Sequence, residues 1–405
     1  MEGKVNEKII SALDLGSSTI KFLIAEVTDE RPSIIGVGSV PSRSINKGIV
    51  TDLNKAAEAI TAAKKQAETM AGKKATPVYV SISGNHVYSL NNKGIIVISK
   101  EGREITKEDI RRVEESAKVL LLQPNQDIVH VLPRQFIIDG QDGIRNPIGM
   151  SGIKLEEEVH IITGSTTSLH NIKKCIRMAD LELNGFVLQS LASSCAIINE
   201  EEKELGVALL DIGAGTGDLA IFANGNIAHT SVLPIGGEYI TKDIAYGLRI
   251  PLEEAESIKK NHGFVETENN NPTGEIEIDK FGSTEKRKVS IDFIGNIITS
   301  RSDEILEGIR LELMKSGYWN NIPAGIVITG GCSLLKNFVE RASEIIEIPA
   351  RIGYPDGNFA IAEFLHSPAY STSVGLIKFA IENEMAKHKK MDFLKHLSWI
   401  KDIFG

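Results

Sequence analysis

The sequence predicts an α/β protein built from two like-folded domains that face each other across a cleft. Three observations carry that expectation. ISALDLGSSTIKFLIAEV is an apolar strand ending in Asp14, then a Gly16 turn with Ser17 and Ser18, then Thr19 and Lys21 at the start of a second strand-like run. GVALLDIGAGTGDLAIFANG repeats the arrangement with Asp211, Gly213, Ala214, Gly215, Thr216, Gly217 and Asp218, and Asp211 stands 197 residues after Asp14, as in a duplicated domain. AGIVITGGCSLLKNFVERASEII runs a buried strand (Ile326, Val327, Ile328) into Gly330-Gly331, and a helix is expected to follow with Leu334, Leu335, Phe338 and Ala342 on one face.

In each copy a Thr lies five residues beyond the Asp, and the chain returns as strand rather than helix. A dinucleotide fingerprint needs a helix directly after its glycines. Here LAIFANGNIAHTSVL follows, with Asn224-Gly225 as a hairpin signal. The loops are therefore expected to be tight strand-to-strand turns. Glycines let backbone N–H groups approach phosphate oxygens, and the hydroxyls of Ser17, Ser18 and Thr216 add donors. Asp14 and Asp211 would then flank a Mg²⁺ that offsets the phosphate charge, through water. One such turn alone is as well explained as an ordinary Gly hairpin; the matched pair is what favours phosphate. Gly330, Gly331 and Cys332 would let a flat nucleoside lie on the backbone.

The bulk composition narrows the function classes. The 405 residues suffice for two or more domains, with 42% hydrophobic and 24% charged residues. A net charge of −9 argues against general nucleic-acid binding. The cysteines, Cys175, Cys195 and Cys332, are odd in number and lack metal-ligand spacing, which suits buried thiols in a reducing compartment. His130, His160 and His170 likewise lack ligand spacing and are expected to be solvated or hydrogen-bonded. MEGKVNEKIISALDLG has no apolar signal-peptide core, and no run of about 18 apolar residues would span a bilayer. A cytosolic protein is expected.

Two Asp-Gly hairpins followed by strand–Gly–Gly–helix resemble the actin, sugar-kinase and heat-shock-chaperone superfamily. That ribonuclease-H-type fold has two α/β domains with ATP between them. FVLQSLASSCAII (Phe186 to Ile198) and STSVGLIKFAIE (Ser371 to Glu382) would be the connecting helices, with Ala192, Ala196 and Gly375 allowing close crossing. LPIGGEYITKDIAYGLRIPLEEAESIKKNHG, SLASSCAII and the loop NPIGMSGIKLE (Asn146 to Glu156) further resemble the FtsA family of bacterial cell-division proteins, over nearly the whole chain. The resemblance implies an actin-like ATPase fold with an inserted α+β subdomain and a C-terminal amphipathic helix. Its divisions here would be 1–84, an insert at 85–161, then 162–198, 199–232, a smaller subdomain at 233–301, 302–361, a return at 362–382, a linker at 383–390 and the terminal helix at 391–405.

The same resemblance brings Gly236, Gly237 and Glu238 to the ribose and phosphates, and places Glu256 and Lys259 beside the nucleoside. Without it, Glu256 and Lys259 read equally as an exposed ion pair on a helix. Within the insert, VYSLNNKGIIVIS has hairpin character around Asn91-Asn92-Lys93-Gly94, and a helix follows with Thr106 and Asp109 in capping-box spacing and Ile110, Val113, Ala117 and Leu120 as its buried stripe. In the family this insert serves filament contacts and recruits later division proteins. By the same resemblance, the long helix from Ser290 to Gly317 would belong to the neighbourhood that in the family binds the C-terminal peptide of the tubulin-like protein FtsZ. Arg301 and Glu304 are the candidate contacts there, and a solvated i,i+3 ion pair fits them as well. Gln189 is the nearest polar group to orient a water. Many relatives have Glu-Pro where this chain has Gln189-Ser190, so slow or absent hydrolysis is expected.

The tail KKMDFLKHLSWIKDIFG groups Phe393, Leu394, Leu397, Ile400 and Phe404 on one side of a helix, with Ile403 adjoining and Trp399 toward the boundary. From Ala386 to Gly405 five Lys oppose two Asp, a local +3 on an acidic chain. That asymmetry suits an anionic membrane surface. The expectation is thus a peripheral protein at the cytoplasmic face of the division septum that binds ATP and Mg²⁺, assembles into filaments, binds FtsZ and later divisome proteins, and does not bind nucleic acid. A pilus-assembly or rod-shape scaffold is the alternative in the same class. A small-molecule kinase is less favoured, because no substrate pocket with a general base is evident. A chaperone is disfavoured too, because only about twenty-five residues follow the second connecting helix.

Overall fold

The structure is a computed structural model, and it describes residues 8–28, 32–75, 77–99, 102–119, 124–268, 271–279, 286–355 and 363–384. The tail residues Phe393, Leu394, Leu397, Trp399, Ile400, Ile403 and Phe404, and Leu120 in the insert, lie outside the described residues.

Each domain is organised around a five-stranded sheet of the same topology. In the first, Ser33–Pro41, Thr19–Val27 and Lys8–Leu15 form an antiparallel meander, and Val78–Ile82 and Leu183–Leu188 add parallel strands beyond it. In the second, Asn226–Leu233, Gly217–Ala223 and Val207–Ile212 repeat the meander, and Ile326–Thr329 and Ala350–Ile352 repeat the parallel pair. The 3.6-residue and two-residue periodicities thus sort as the duplication implies. Asn224 and Gly225 close the second meander with φ of 54° and 78°, the left-handed pair that the strand twist favours in a two-residue turn.

Two helices join the domains. Gln189–Ile197 begins at Gln189, later than the sequence suggests, because Phe186, Val187 and Leu188 complete the parallel strand against Val80, Ser81 and Ile82. It crosses a second helix over residues 371–384, where a Cβ on Gly375 would come within 1.8 Å of the Ala192 carbonyl oxygen. Ala192, Ala196, Val374 and Ile377 pack in one core with Leu23 of the first sheet and Leu209 of the second.

The insert is a four-stranded sheet, ordered Gln141–Ile144, Gln126–Ile138, Lys154–Ser165 and Val87–Val97, covered by the helix Lys107–Lys118. The capping box at Thr106 and Asp109 is present, and Arg103 clamps the Asp109 carboxylate with two bonds of 2.7 and 2.8 Å. The hairpin expected at Asn91–Gly94 is absent: Val87–Val97 is one continuous strand, paired residue for residue with Lys154–Gly164. Tertiary contacts override the local turn signal. Asn92 Nδ2 donates to Ala117 O at 2.7 Å, and a Cβ on Gly94 would lie 2.2 Å from Val113 O, so these residues seat the helix on the strand.

The smaller half of the second domain holds helices Gly237–Leu248 and Leu252–His262, a hairpin of Glu275–Asp279 with Lys286–Ser290, and the 26-residue helix Ile291–Ser316. The long helix is capped by Ser290 at its start and by Gly317, at φ 78°, at its end. After Gly330-Gly331 the chain does not enter a helix directly. A 3₁₀ turn over Gly331–Leu334 comes first, then Asn337 at φ 64°, and the α-helix spans Phe338–Ile346. Ser333 Oγ donates to Gly330 O at 2.8 Å and Asn337 Nδ2 to Val265 O at 3.0 Å, fixing the break and leaving Leu334 exposed.

Candidate functional site

The two meanders aim their turns at each other. Between them lies a cavity of about 470 Å³, within the range of small-ligand pockets. Each turn follows a strand whose penultimate residue is a buried Asp, and the period-two alternation puts both carboxylates on the cleft side.

Asp14 accepts from Ser81 Oγ at 3.0 Å and from Ser373 Oγ at 3.1 Å, and Lys21 Nζ lies 3.4 Å from it. Lys21 also donates to Ala369 O at 2.7 Å, which ties the first meander to the segment that leads into the second connecting helix. Asp211 accepts from Ser193 Oγ at 2.5 Å and Thr372 Oγ1 at 2.9 Å, one from each connecting helix. Burial pushes the Asp211 carboxyl above the usual range, with Asp14 adding to the push and Ser193, Thr372 and Gln189 opposing it. A third acid, Asp218, is fully buried and accepts from Ser83 Oγ at 2.6 Å and Thr216 Oγ1 at 2.8 Å. Burial, reinforced by the charges of Asp211 and Asp14, raises it to about 8. Asp14 and Asp211 line the cavity and Asp218 is buried behind Thr216; three buried carboxyls so close are costly unless protonated or offset, and Lys21 offsets Asp14.

Glycines supply the close approach. The Gly213 N–H donates to Thr216 O at 2.9 Å and closes the second turn, and Gly237 N–H reaches Gly213 O at 3.0 Å. A Cβ on Gly330, at φ 84°, would meet Ile212 O at 2.4 Å and Asp211 Oδ1 at 2.5 Å. On the far side Lys259 Nζ bonds Glu256 Oε2 at 2.6 Å, Thr241 Oγ1 at 2.7 Å and Gly237 O at 3.0 Å. Burial works against the Glu256 carboxylate, but Lys259 and Thr241 outweigh it and hold it below its usual range. The Cys332 thiol, buried and donating to Gly213 O at 3.5 Å, is pushed up to about 11 by desolvation, which favours the neutral thiol.

Most of the residues singled out in the sequence meet here. Asp14, Gly16, Ser17, Ser18, Thr19, Lys21, Gln189, Asp211, Gly213, Ala214, Gly215, Thr216, Gly237, Glu256, Lys259, Gly330, Gly331 and Cys332 all line the cavity. Gly217, Gly236 and Glu238 do not. Gly217 sits in the strand behind the turn, Gly236 packs under Gly213 O and Ala214 O, and Glu238 pairs with Lys242 at 2.7 Å. Ser83 and Thr372 were not singled out, and Asp218 was named in the second motif without a role in the site. Asp218 lies in the quoted motif, and its signal was the alternation that sends it to the same side as Thr216. Ser83 and Thr372 arrive from distant strands and helices, with nothing local to mark them.

Arg301 is engaged away from the cavity: it donates to Asp243 Oδ2 at 2.6 Å and also bonds Glu304. His160 is buried between Asn91 Oδ1 at 2.7 Å and Thr230 Oγ1 at 2.8 Å, and burial lowers it to about 3; His130, lowered by burial to about 4, accepts from Leu188 N–H. Among the described residues no group of three or more His, Cys, Asp or Glu side chains is arranged to hold a metal ion, and no helix is long and apolar enough to cross a membrane.

Comparison with known proteins matches two family models: "Cell division protein FtsA" over residues 208–375 and "SHS2 domain inserted in FTSA" over residues 84–163. The cell division protein FtsA of Neisseria meningitidis is 42% identical over 380 residues, covering 93% of this chain and 91% of that protein. The Pseudomonas aeruginosa protein of the same name is 39% identical over 378 residues, covering 93% and 90%. Among solved structures, a PilM–PilN type IV pilus biogenesis complex matches with a TM-score of 0.66 at 16% identity, over 91% of this chain and 97% of that one. MreB5 of Spiroplasma citri bound to ADP matches with a TM-score of 0.53 at 16% identity, over 93% and 99%.

Proposed function

The chain belongs to the FtsA family of bacterial cell-division proteins, with an actin-like fold and the family's inserted domain, and from that premise we propose that it is an ATP-dependent assembly switch that ties the FtsZ ring to the membrane. The observation that carries the nucleotide part is the cavity between two glycine turns backed by Asp14 and Asp211. The residues fit a Mg²⁺–nucleotide. Backbone N–H groups of the turns and the hydroxyls of Ser17, Ser18 and Thr216 would receive phosphate oxygens, Lys21 adds a positive charge, and Gly330-Gly331 with Glu256 and Lys259 would bracket the nucleoside. Mg²⁺ would offset the phosphate charge; with no direct cluster of ligands among the described residues, Asp14 and Asp211 would hold it through water. Gln189, at the first turn of its helix, faces the same cavity and would orient a water only weakly, so turnover is slow or absent.

Filament assembly, recruitment of later divisome proteins by the insert, and FtsZ-peptide binding near Arg301 and Glu304 complete the reading. The terminal helix from Phe393 to Phe404 is the proposed membrane contact. Five apolar side chains partly buried in a lipid interface gain less than the roughly 7–15 kcal/mol of full burial, and ordering a short helix takes back several kcal/mol. One tail therefore binds reversibly, and a filament presenting many tails binds firmly. The test is co-sedimentation of the full chain with anionic liposomes, with and without ATP. Pelleting promoted by ATP and lost in an assembly-defective variant supports the coupling, whereas equal pelleting of that variant overturns it.

A further inference from the structure

Arg43 and Lys47 are basic side chains of the first domain that reach the second without lining the cavity, and Arg43 pairs with Glu253 at 3.3 Å. Lys47 stands at the tip of the turn between Ile45–Asn46 and Ile49–Val50 of the first domain, at φ 48°, and its neighbour Gly48 lines the cavity. The Lys47 ammonium leaves its own domain. It donates to the Tyr239 hydroxyl and lies 4.7 Å from the centre of that ring. Tyr239 is in the first turn of helix Gly237–Leu248, two residues beyond the Gly237 N–H that bonds the second phosphate turn at Gly213 O.

Neither partner is loosely held. A Cβ on Gly48 would lie 1.9 Å from Ser83 O, and one on Gly84 would lie 2.4 Å from Lys47 O, so the Lys47 turn is pressed onto the backbone that carries Ser83. Ser83 itself reaches across to Asp218 at 2.6 Å. A Cβ on Gly215 would come within 3.1 Å of Lys47 N, which puts the turn against the opposite glycine loop. On the other side, the Arg301 guanidinium lies 5.6 Å from the Tyr239 ring centre and is fixed by Asp243 at 2.6 Å. The Lys242 ammonium lies 5.5 Å from the same ring centre, so Tyr239 meets Lys47 from within a group of cations of its own domain.

We propose that Lys47 and Tyr239 are a positioning pair that latches the two domains over bound nucleotide and sets how fast it leaves. The inference rests on the nucleotide reading above and adds its regulation: the pair touches no ligand, and works by closing the exit. A combined hydrogen bond and cation–π contact between domains resists opening, so its loss speeds dissociation more than it slows association.

The test uses the full chain, Mg²⁺ and a fluorescent ATP analogue chased with unlabelled ATP in stopped flow. Lys47→Ala is expected to release the analogue roughly tenfold faster, equivalent to about 1.4 kcal/mol, and Tyr239→Phe, which keeps the ring, by a smaller factor. The double variant should be no faster than the Lys47→Ala variant, and Lys47→Arg should recover part of the loss. A Lys47→Ala protein that melts like wild type and releases at the wild-type rate overturns the proposal, as do fully additive single effects. If wild type binds no analogue, the nucleotide reading fails and the latch is read separately. Spin labels at Glu58→Cys and Glu340→Cys would then show a broader interdomain distance distribution in Lys47→Ala if the latch exists, and an unchanged one if it does not.

Discussion

The missing Cβ of Gly375 would stand 1.8 Å from the carbonyl oxygen of Ala192, so the two connecting helices cross at backbone contact. Gly375→Val should force them apart. Overpacking of this kind costs about 1–3 kcal/mol, and more where backbone rather than a side chain must move. A lowered melting temperature, with nucleotide affinity falling alongside it, is the expected result. Scanning calorimetry and equilibrium binding on the same variant check it, and unchanged values in both would refute tight crossing.

Asp211→Asn should separate stability from binding. The carboxyl is buried among Asp14 and Asp218, and an amide oxygen can still accept from Ser193 and Thr372. Removing a buried carboxyl whose charged form burial and Asp14 both disfavour should raise the melting temperature of the nucleotide-free protein. Affinity for the nucleotide with Mg²⁺ should fall at least about tenfold, while affinity in EDTA changes little. Isothermal titration with and without EDTA measures the difference.

Glu157 gives the insert a pH-dependent stability. It is 1% exposed beneath helix Lys107–Lys118, between Leu155 and Val159, both at 0%. Burial, reinforced by Glu114 and partly offset by Lys118, raises its carboxyl from an ordinary 4.5 to about 7. The raised value reverses the common carboxylate behaviour. Below pH 4.5 the group is neutral folded or unfolded; from there to about 7 only the unfolded chain ionises, so stability declines, and the full loss persists above 7. Glu157→Gln should therefore stabilise at pH 8, on the order of 1–3 kcal/mol, and make no difference near pH 4. Denaturant melts at the two pH values, followed by hydrogen exchange in Val87–Val97, decide it.

The tail prediction concerns residues beyond those described. Trp399→Glu, or deletion from Phe393, should abolish liposome pelleting and leave nucleotide affinity at the wild-type value. A deletion that still pelleted would place the membrane contact elsewhere.

How much of this was legible beforehand follows from the range of the forces involved. Asp14 and Asp211 could be read because strand, acid, glycine and Thr recur at fixed local spacing, and Asn224-Gly225 because an Asn-Gly pair between two strand-like runs is a local hairpin signal. The Asn91–Gly94 hairpin misread shows the opposite case. Its turn-like residues are spent on a helix that lies over the strand, with Asn92 bonded to Ala117 O. The delayed helix after Gly331 depends on Asn337 reaching Val265, 72 residues away. Thr372 and Ser83 were invisible for the same reason: each is an ordinary hydroxyl until folding brings it within 3 Å of an acid. Local pattern specifies the turns, and long-range packing selects which side chains accompany them.

Helix Ile291–Ser316 starts beside the small hairpin and ends on the core of the second domain. At 1.5 Å per residue it is a rod of about 39 Å, and a tilt of about 5° at one end displaces the other by about 3 Å. Arg301 sits near its middle, braced to Asp243 and stacked toward Tyr239. Whatever grips that midpoint holds a pivot, and small adjustments there are delivered enlarged at both tips.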